Sequence, residues 1–197
     1  LDAGDPAERE VFDEVLSSLD PPAACWGFVP DEVGGVRHLS EHEVFLGPSD
    51  FFRSGTVWAG ADPEATAGIR RHRPERADPP DLENRVYVTV TLSEGDNLQY
   101  CQNALKSSWE DDARGEVPIN WSVSPLLWDV APRYLEYFYE TATDNDHFMC
   151  GPSGVGYAYP GDWPTDSLGE FTGLTGEYLA EVGIETLYAL NRLGIDS

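Results

Sequence analysis

From Arg85 onward the chain repeats one pattern: a short β-branched or aromatic run, then apolar residues at helical spacing. Val86 to Leu92 opens it as a strand by composition. Leu98, Cys101, Leu105 and Trp109 follow at helical spacing, and Val117–Trp121 makes a second strand. A helix capped by Asp129, with Pro132 in its first turn and Tyr134, Leu135, Phe138 and Tyr139 as contacts, leads to a third strand at His147–Cys150. Phe171, Leu174, Tyr178 and Leu179 mark another helix, and Ile184–Leu190 a fourth strand. Strand and helix alternating in this way predict an α/β fold built from parallel βα units. Ligands in such folds gather at the carboxyl ends of strands. Here those ends are residues 93–97, 122–125, 151–160 and Asn191.

The first sixty residues are less regular. Asp5-Pro6-Ala7-Glu8 reads as a capped helix start, with Glu8 closing the box. Val11, Val15 and Leu19, with Phe12 and Leu16, form its apolar stripe. Cys25–Val29, Glu43–Leu46 and Thr56–Ala59 are strand candidates, and Gly34-Gly35 is expected to break any long element. Residues 61–84 read as a surface loop whose Arg70, Arg71, Arg73 and Arg76 pair with local carboxylates. The whole of 1–197 is read as a portion of one α/β domain.

Charge excludes some partners. There are 36 acidic residues against 12 basic ones, a formal net charge of −24, with Lys106 the only lysine. Such a surface repels nucleic-acid phosphates and anionic lipid, so neither nucleic acid nor membrane is expected as a partner. Loss of lysine amid abundant carboxylates predicts adaptation to high salt, and an acidic secreted protein is the alternative; an extracellular setting fits both. Cys25, Cys101 and Cys150 lack the spacing of a zinc module and read as free thiols, with one disulfide left open.

Three segments carry chemistry. Ser93-Glu94-Gly95-Asp96-Asn97 follows the best strand. Gly95 permits a tight turn that aims Glu94 and Asp96 into one cleft, and paired carboxylates perform the acid–base and nucleophilic work of glycoside cleavage. The competing reading is a helix cap made by Asp96 or Asn97. In Asn120–Pro125, Trp121 offers a stacking face for a sugar ring, or else a core indole. In Gly151–Pro160, glycines bring the backbone close to a ligand, and Tyr157 and Tyr159 supply amphipathic rings with hydroxyls. A phosphate loop is excluded because no Lys-Ser/Thr pair follows the last glycine, and Ser153 lacks nucleophile-elbow spacing. Asp144, Asp146 and His147 lie at the opposite end of the third strand, as turn or cap residues.

Gly154-Val155-Gly156-Tyr157-Ala158-Tyr159-Pro160 meets the GxGYxYP signature at every fixed position, and the chain resembles that family of glycoside-hydrolase-type proteins over about residues 85–190. The Ser-Glu-Gly-Asp-Asn segment is similar to the family's Ser-Asp-Gly-Asp-Asn block, with Glu94 in place of the usual Asp. The resemblance implies a C-terminal, catalytic-type portion of a longer chain with a barrel-like fold of the TIM or deacetylase type. On that reading Asp96 and Glu94 are the catalytic carboxylates. Asn97, Asn120, Trp121, Ser153, Tyr157 and Tyr159 bind the carbohydrate substrate.

No cofactor or metal is assigned. A metal-dependent carbohydrate deacetylase or esterase is one alternative; His38 and His42 have metal-ligand spacing but sit in a glycine-broken segment far from the best strand. A non-catalytic sugar-binding module is the other.

Overall fold

The computed structural model describes residues 1–60, 68–72 and 81–190. It is a mixed α/β structure with short parallel sheets. The first, β1 (Ala23–Gly27) and β2 (Val44–Pro48), is joined by helix α2 (Glu32–Glu41). The second has the order β3-β4-β5, formed by Thr91–Leu92, Ile119–Ser122 and Asp146–Met149. Both pairings in it are parallel, as the strand–helix alternation predicts. No closed barrel forms among the described residues.

Helix α1 (Pro6–Leu16) starts where expected: Asp5 Oδ1 accepts from the amides of Ala7 and Glu8 at 2.9 and 3.2 Å. Glu8 does not close a box on Asp5 but accepts from Asp2 N at 2.8 Å. Phe12 and Leu16 are buried, whereas Val11, Val15 and Leu19 face outward.

Several expectations are corrected. Gly34 and Gly35 do not break α2; the helix runs through them. A side chain at Gly35 would meet Val29 Cγ2 at 2.6 Å, so the glycine is there to let the helix lie against that valine. Thr56–Ala59 is helical, within α3 (Gly55–Gly60). The strand over 86–92 shrinks to Thr91–Leu92, with Val86 and Val88 exposed. Its composition suits a buried strand, but β4 pairs with only two of its residues.

Leu98, Cys101, Leu105 and Trp109 are all buried, yet on two short helices, α4 (Leu98–Gln102) and α5 (Ala104–Trp109). Asn103 separates them, its side-chain amide donating to Gln99 O at 2.8 Å. Asp129 is no cap; it lies within α6 (Leu127–Val130) and accepts from Tyr178. Helix α7 (Pro132–Thr141) packs Tyr139 on Phe148 of β5, helix α8 (Leu168–Val182) packs Phe171 on Phe45 of β2, and Gly183, with φ at +73°, ends α8 in the left-handed region. Beyond it the expected fourth strand narrows to a parallel bridge of Leu187 with Cys150.

The core centres on Trp109, which packs against Trp121, Phe138 and Phe148. Beneath it Asp146 is 1% exposed and accepts from Trp121 Nε1, the Thr143 amide and the Thr143 hydroxyl, each at 2.8 Å. Arg114 closes the knot with an ion pair to the same carboxylate. Arg71 does not pair locally; it reaches Glu181 on α8, while Arg73 and Arg76 lie outside the described residues. All three cysteines are free. Among the described residues no helix is long and apolar enough to cross a membrane.

If the excess of 36 acidic over 12 basic residues is a salt adaptation, melting temperature rises as KCl goes from low to molar concentration. Screening shortens from about 10 Å at 0.1 M to about 3 Å at 1 M. Each kcal/mol of relieved repulsion raises Tm by about 2–4 °C. A flat thermal-melting series would remove the salt-adaptation reading.

Candidate active site

The acidic turn is pinned from below. Gly95 N donates to Ser122 Oγ at 2.8 Å, and Ser122 Oγ donates to Leu92 O at 2.5 Å. A side chain at Gly95 would lie 2.1 Å from the Ser122 carbonyl, so only glycine lets the turn rest on the end of β4. Asn97 is the cap of α4, its Oδ1 accepting from Tyr100 N at 3.0 Å. That duty falls to Asn97 and leaves the Asp96 carboxyl for another use.

The tyrosine segment is held just as closely. A side chain at Gly156 would strike Phe45 at 2.4 Å, and one at Gly154 would strike Thr175 Oγ1 at the same distance. Without side chains there, the segment exchanges two backbone hydrogen bonds with β2: Leu46 N to Tyr157 O at 2.8 Å and Tyr157 N to Leu46 O at 2.7 Å. The fixed glycines of the signature are thus steric requirements of this packing.

These constraints open one cleft of about 230 Å³, lined by Glu94, Asp96, Asn97, Tyr157, Glu32 and Tyr188 among others. The acidic turn and the tyrosine loop therefore share a cavity. Burial pushes the Asp96 carboxyl up to about 8, and the nearby charges of Glu94 and Glu32 push the same way, against its own backbone N–H. Asp96 accordingly holds its proton at neutral pH. Tyr157 donates to Glu32 Oε1 at 3.1 Å and meets the Tyr159 hydroxyl at the same distance. Burial raises the Tyr157 pKa far above its ordinary value, so its hydroxyl stays a donor.

Not every expected residue is there. Trp121 is 2% exposed, hydrogen-bonded to Asp146 and packed edge-on against Trp109 at 5.1 Å, so it offers no face to a sugar. Asn120 lies on β4 and turns its amide to Val90 O and Thr91 Oγ1, outside the cleft. Ser153 is buried; its hydroxyl donates to Ala158 O at 2.8 Å and accepts from Leu190 N at 2.9 Å, so it shapes the loop. Tyr159 is buried behind Tyr157.

Sequence reasoning missed Glu32 and Tyr188. Glu32 lies a few residues beyond the carboxyl end of β1, the position already searched for the later strands. Tyr188 packs over Gly151 and donates to Ser93 O, a contact no spacing signals.

A parallel α/β scaffold with an acidic, tyrosine-walled cleft beyond its strand ends defines the class: a mixed α/β protein with its ligand site where such folds keep theirs. The chain belongs to the GxGYxYP family: residues 84–196 match the model described as "GxGYxYP putative glycoside hydrolase C-terminal domain". Residues 2–60 match the GxGYxYP third domain. The fold is similar, with a TM-score of 0.82 and 29% identity, to a crystal structure described as a "putative hydrolase" from Bacteroides thetaiotaomicron VPI-5482. That similarity covers 92% of this chain but 35% of the other. None of the curated proteins compared matches the chain. The cleft lies between the two matched segments: Glu32 and Leu46 come from the first, and Asp96, Tyr157 and Tyr188 from the second.

Gly95→Ala is expected to destabilise the fold by about 1–3 kcal/mol, the usual range for overpacking. It should also displace the acidic turn, since the obstruction is β4 backbone. Urea denaturation measures the first effect; an unchanged midpoint would show that the turn has room to spare.

Proposed function

We propose that this chain forms the catalytic-type portion of a glycoside hydrolase, with Asp96 as general acid. The observation that carries this reading is the placement of Asp96, Glu94, Glu32 and Tyr157 around one cleft. Cleavage needs one carboxyl that holds a proton and one carboxylate that does not. Asp96, held protonated by its surroundings, delivers its proton to the glycosidic oxygen as the bond from the anomeric carbon breaks. Glu94 or Glu32 then serves the anomeric carbon, either directly as nucleophile or by taking a proton from an attacking water. Tyr157, bonded to Glu32, fixes that carboxylate and offers a ring edge to the sugar. A volume of about 230 Å³ is below the roughly 300 Å³ at which small-molecule sites begin, which suits a single sugar unit. None of the cleft's lining residues is a histidine, so the reading rests on carboxylates rather than on the ligand set of a deacetylase.

The exposed run at Val86 and Val88 beside β3 would let further strands of a longer chain continue the second sheet toward a barrel-like closure.

Glu32→Gln and Glu94→Gln in the full-length protein separate the two partners. The carboxylate that acts as base or nucleophile loses about 100-fold or more in kcat/KM on a panel of aryl and oligosaccharide glycosides. Its companion loses much less. Absence of turnover by the wild-type protein on every glycoside of the panel would overturn the reading.

A further inference from the structure

Away from the cleft, α1 and α2 bring together three side chains of another kind. Asp13 comes from α1, His38 from α2, and His42 from the residue that ends α2. One ligating atom of each lies within 4.8 Å of the other two. His38 Nε2 is 2.7 Å from Asp13 Oδ1, and His42 Nε2 is 3.6 Å from the same oxygen. His38 is 2% exposed, yet neither of its ring nitrogens makes an aligned hydrogen bond, and neither does Asp13 Oδ1. Buried polar atoms normally have aligned partners, so a buried histidine whose close polar contact, with Asp13 Oδ1, is misaligned needs a reason.

The tautomer of His42 points the same way. Its Nδ1 lies 2.9 Å from the carbonyl oxygen of His38. A carbonyl only accepts, so Nδ1 carries a proton, and in the neutral ring it is Nε2, the nitrogen facing Asp13, that has the lone pair. Metal-binding histidines are commonly oriented in this way, through a hydrogen bond from the other ring nitrogen. The charge of Arg37 at the rim is offset by Glu41 and Asp162, at 2.9 and 3.6 Å. A cleft lined by Arg9, Asp31, Arg37 and Glu41 reaches His38, one of the three.

We propose that Asp13, His38 and His42 bind one divalent transition-metal ion of the Zn²⁺ class. Two nitrogens and one carboxylate oxygen are a donor set that suits Zn²⁺ and leaves a position for water. Bonds of about 2.0–2.1 Å put tetrahedral ligands roughly 3.3 Å apart. The Asp13 side chain, 44% exposed, therefore moves outward slightly from its present 2.7 Å contact. The ion would clamp α1 to α2, the helix that carries Glu32 into the active-site cleft.

The test is calorimetric titration of chelator-stripped protein with ZnCl₂, alongside thermal melts. One saturable equivalent per chain and a Zn²⁺-dependent rise in Tm are expected. His42→Ala and Asp13→Asn should each weaken binding by at least about 100-fold, since loss of even an outer-shell partner costs 10–100-fold. Both residues are partly exposed, so both variants should fold, and circular dichroism verifies this. Co²⁺ in place of Zn²⁺ should give visible d–d absorption in the wild type that both variants lack. Asp96→Asn keeps the Zn²⁺ binding, which separates this site from the glycosidase reading. No saturable binding by the wild type, or unchanged affinity in either variant, overturns the proposal.

Discussion

Asp96→Asn lowers kcat/KM on any glycoside the protein cleaves by about 10²–10⁴-fold, the usual contribution of a positioned general acid. Asparagine keeps the shape of the side chain but has no proton to deliver. The loss should be largest for substrates with poor leaving groups, and small for activated aryl glycosides that need no protonation. In the wild type, activity should fall as pH rises through about 8, where Asp96 gives up its proton.

Stability should move in the opposite direction. In the unfolded chain an aspartate ionises near pH 4. In the fold Asp96 keeps its proton until about pH 8. Between these values the folded state binds more protons, so its stability declines as pH rises, and the full penalty applies above the folded pKa. Asparagine removes that penalty. The variant's melting temperature should therefore exceed the wild type's by a margin that grows from pH 4 to pH 8. A variant both inactive and more stable would mark Asp96 as functional. One that is active, or less stable at pH 8, would return it to a structural role.

Asp146→Ala produces the largest structural effect, a loss of about 3–5 kcal/mol. The substitution leaves Trp121 Nε1 and the Thr143 groups without their acceptor, and strands the Arg114 guanidinium, 15% exposed, without its counter-charge. Removing one partner of a buried pair costs more than the pair contributes, because the other charge stays behind. Burial alone would raise the Asp146 pKa. The bonds from Thr143 and Trp121 and the charge of Arg114 outweigh it and hold the carboxyl below its ordinary value. With the folded pKa depressed, this stabilisation is fully present above about pH 4 and is lost as pH falls through the folded value. Chemical denaturation at pH 7 and pH 3 measures both: the variant should be far weaker than the wild type at pH 7, with the gap narrowing in acid. A loss below 1 kcal/mol at pH 7 would mean that Arg114 and Trp121 find other partners.

Much of the scaffold is legible in the residues. The parallel pairing, the buried faces of α4, α5, α7 and α8, and the Asp5 cap each follow from local pattern. What could not be read is what depends on distant neighbours. Gly34-Gly35 looks like a break because glycine weakens an isolated helix, and nothing local reveals that Val29 lies where a side chain would go. Val86–Val90 looks buried because its composition is that of a core strand, while its pairing depends on what lies alongside. Trp121 could equally stack on a sugar or fill a core, and Asp146 decides the matter from 25 residues away. Glu32 was invisible because its cleft closes only when Tyr157, 125 positions later, docks on the first sheet.

The reciprocal pair of amide bonds between Leu46 and Tyr157 has an evolutionary consequence. The two stretches of chain matched by separate family models cannot be inherited independently without dismantling the cleft. A recombinant that exchanged either stretch for a foreign one would have to supply a compatible edge at β2, or lose the carboxylate that Tyr157 holds. Relatives that retain the cleft should therefore carry both stretches as a matched set.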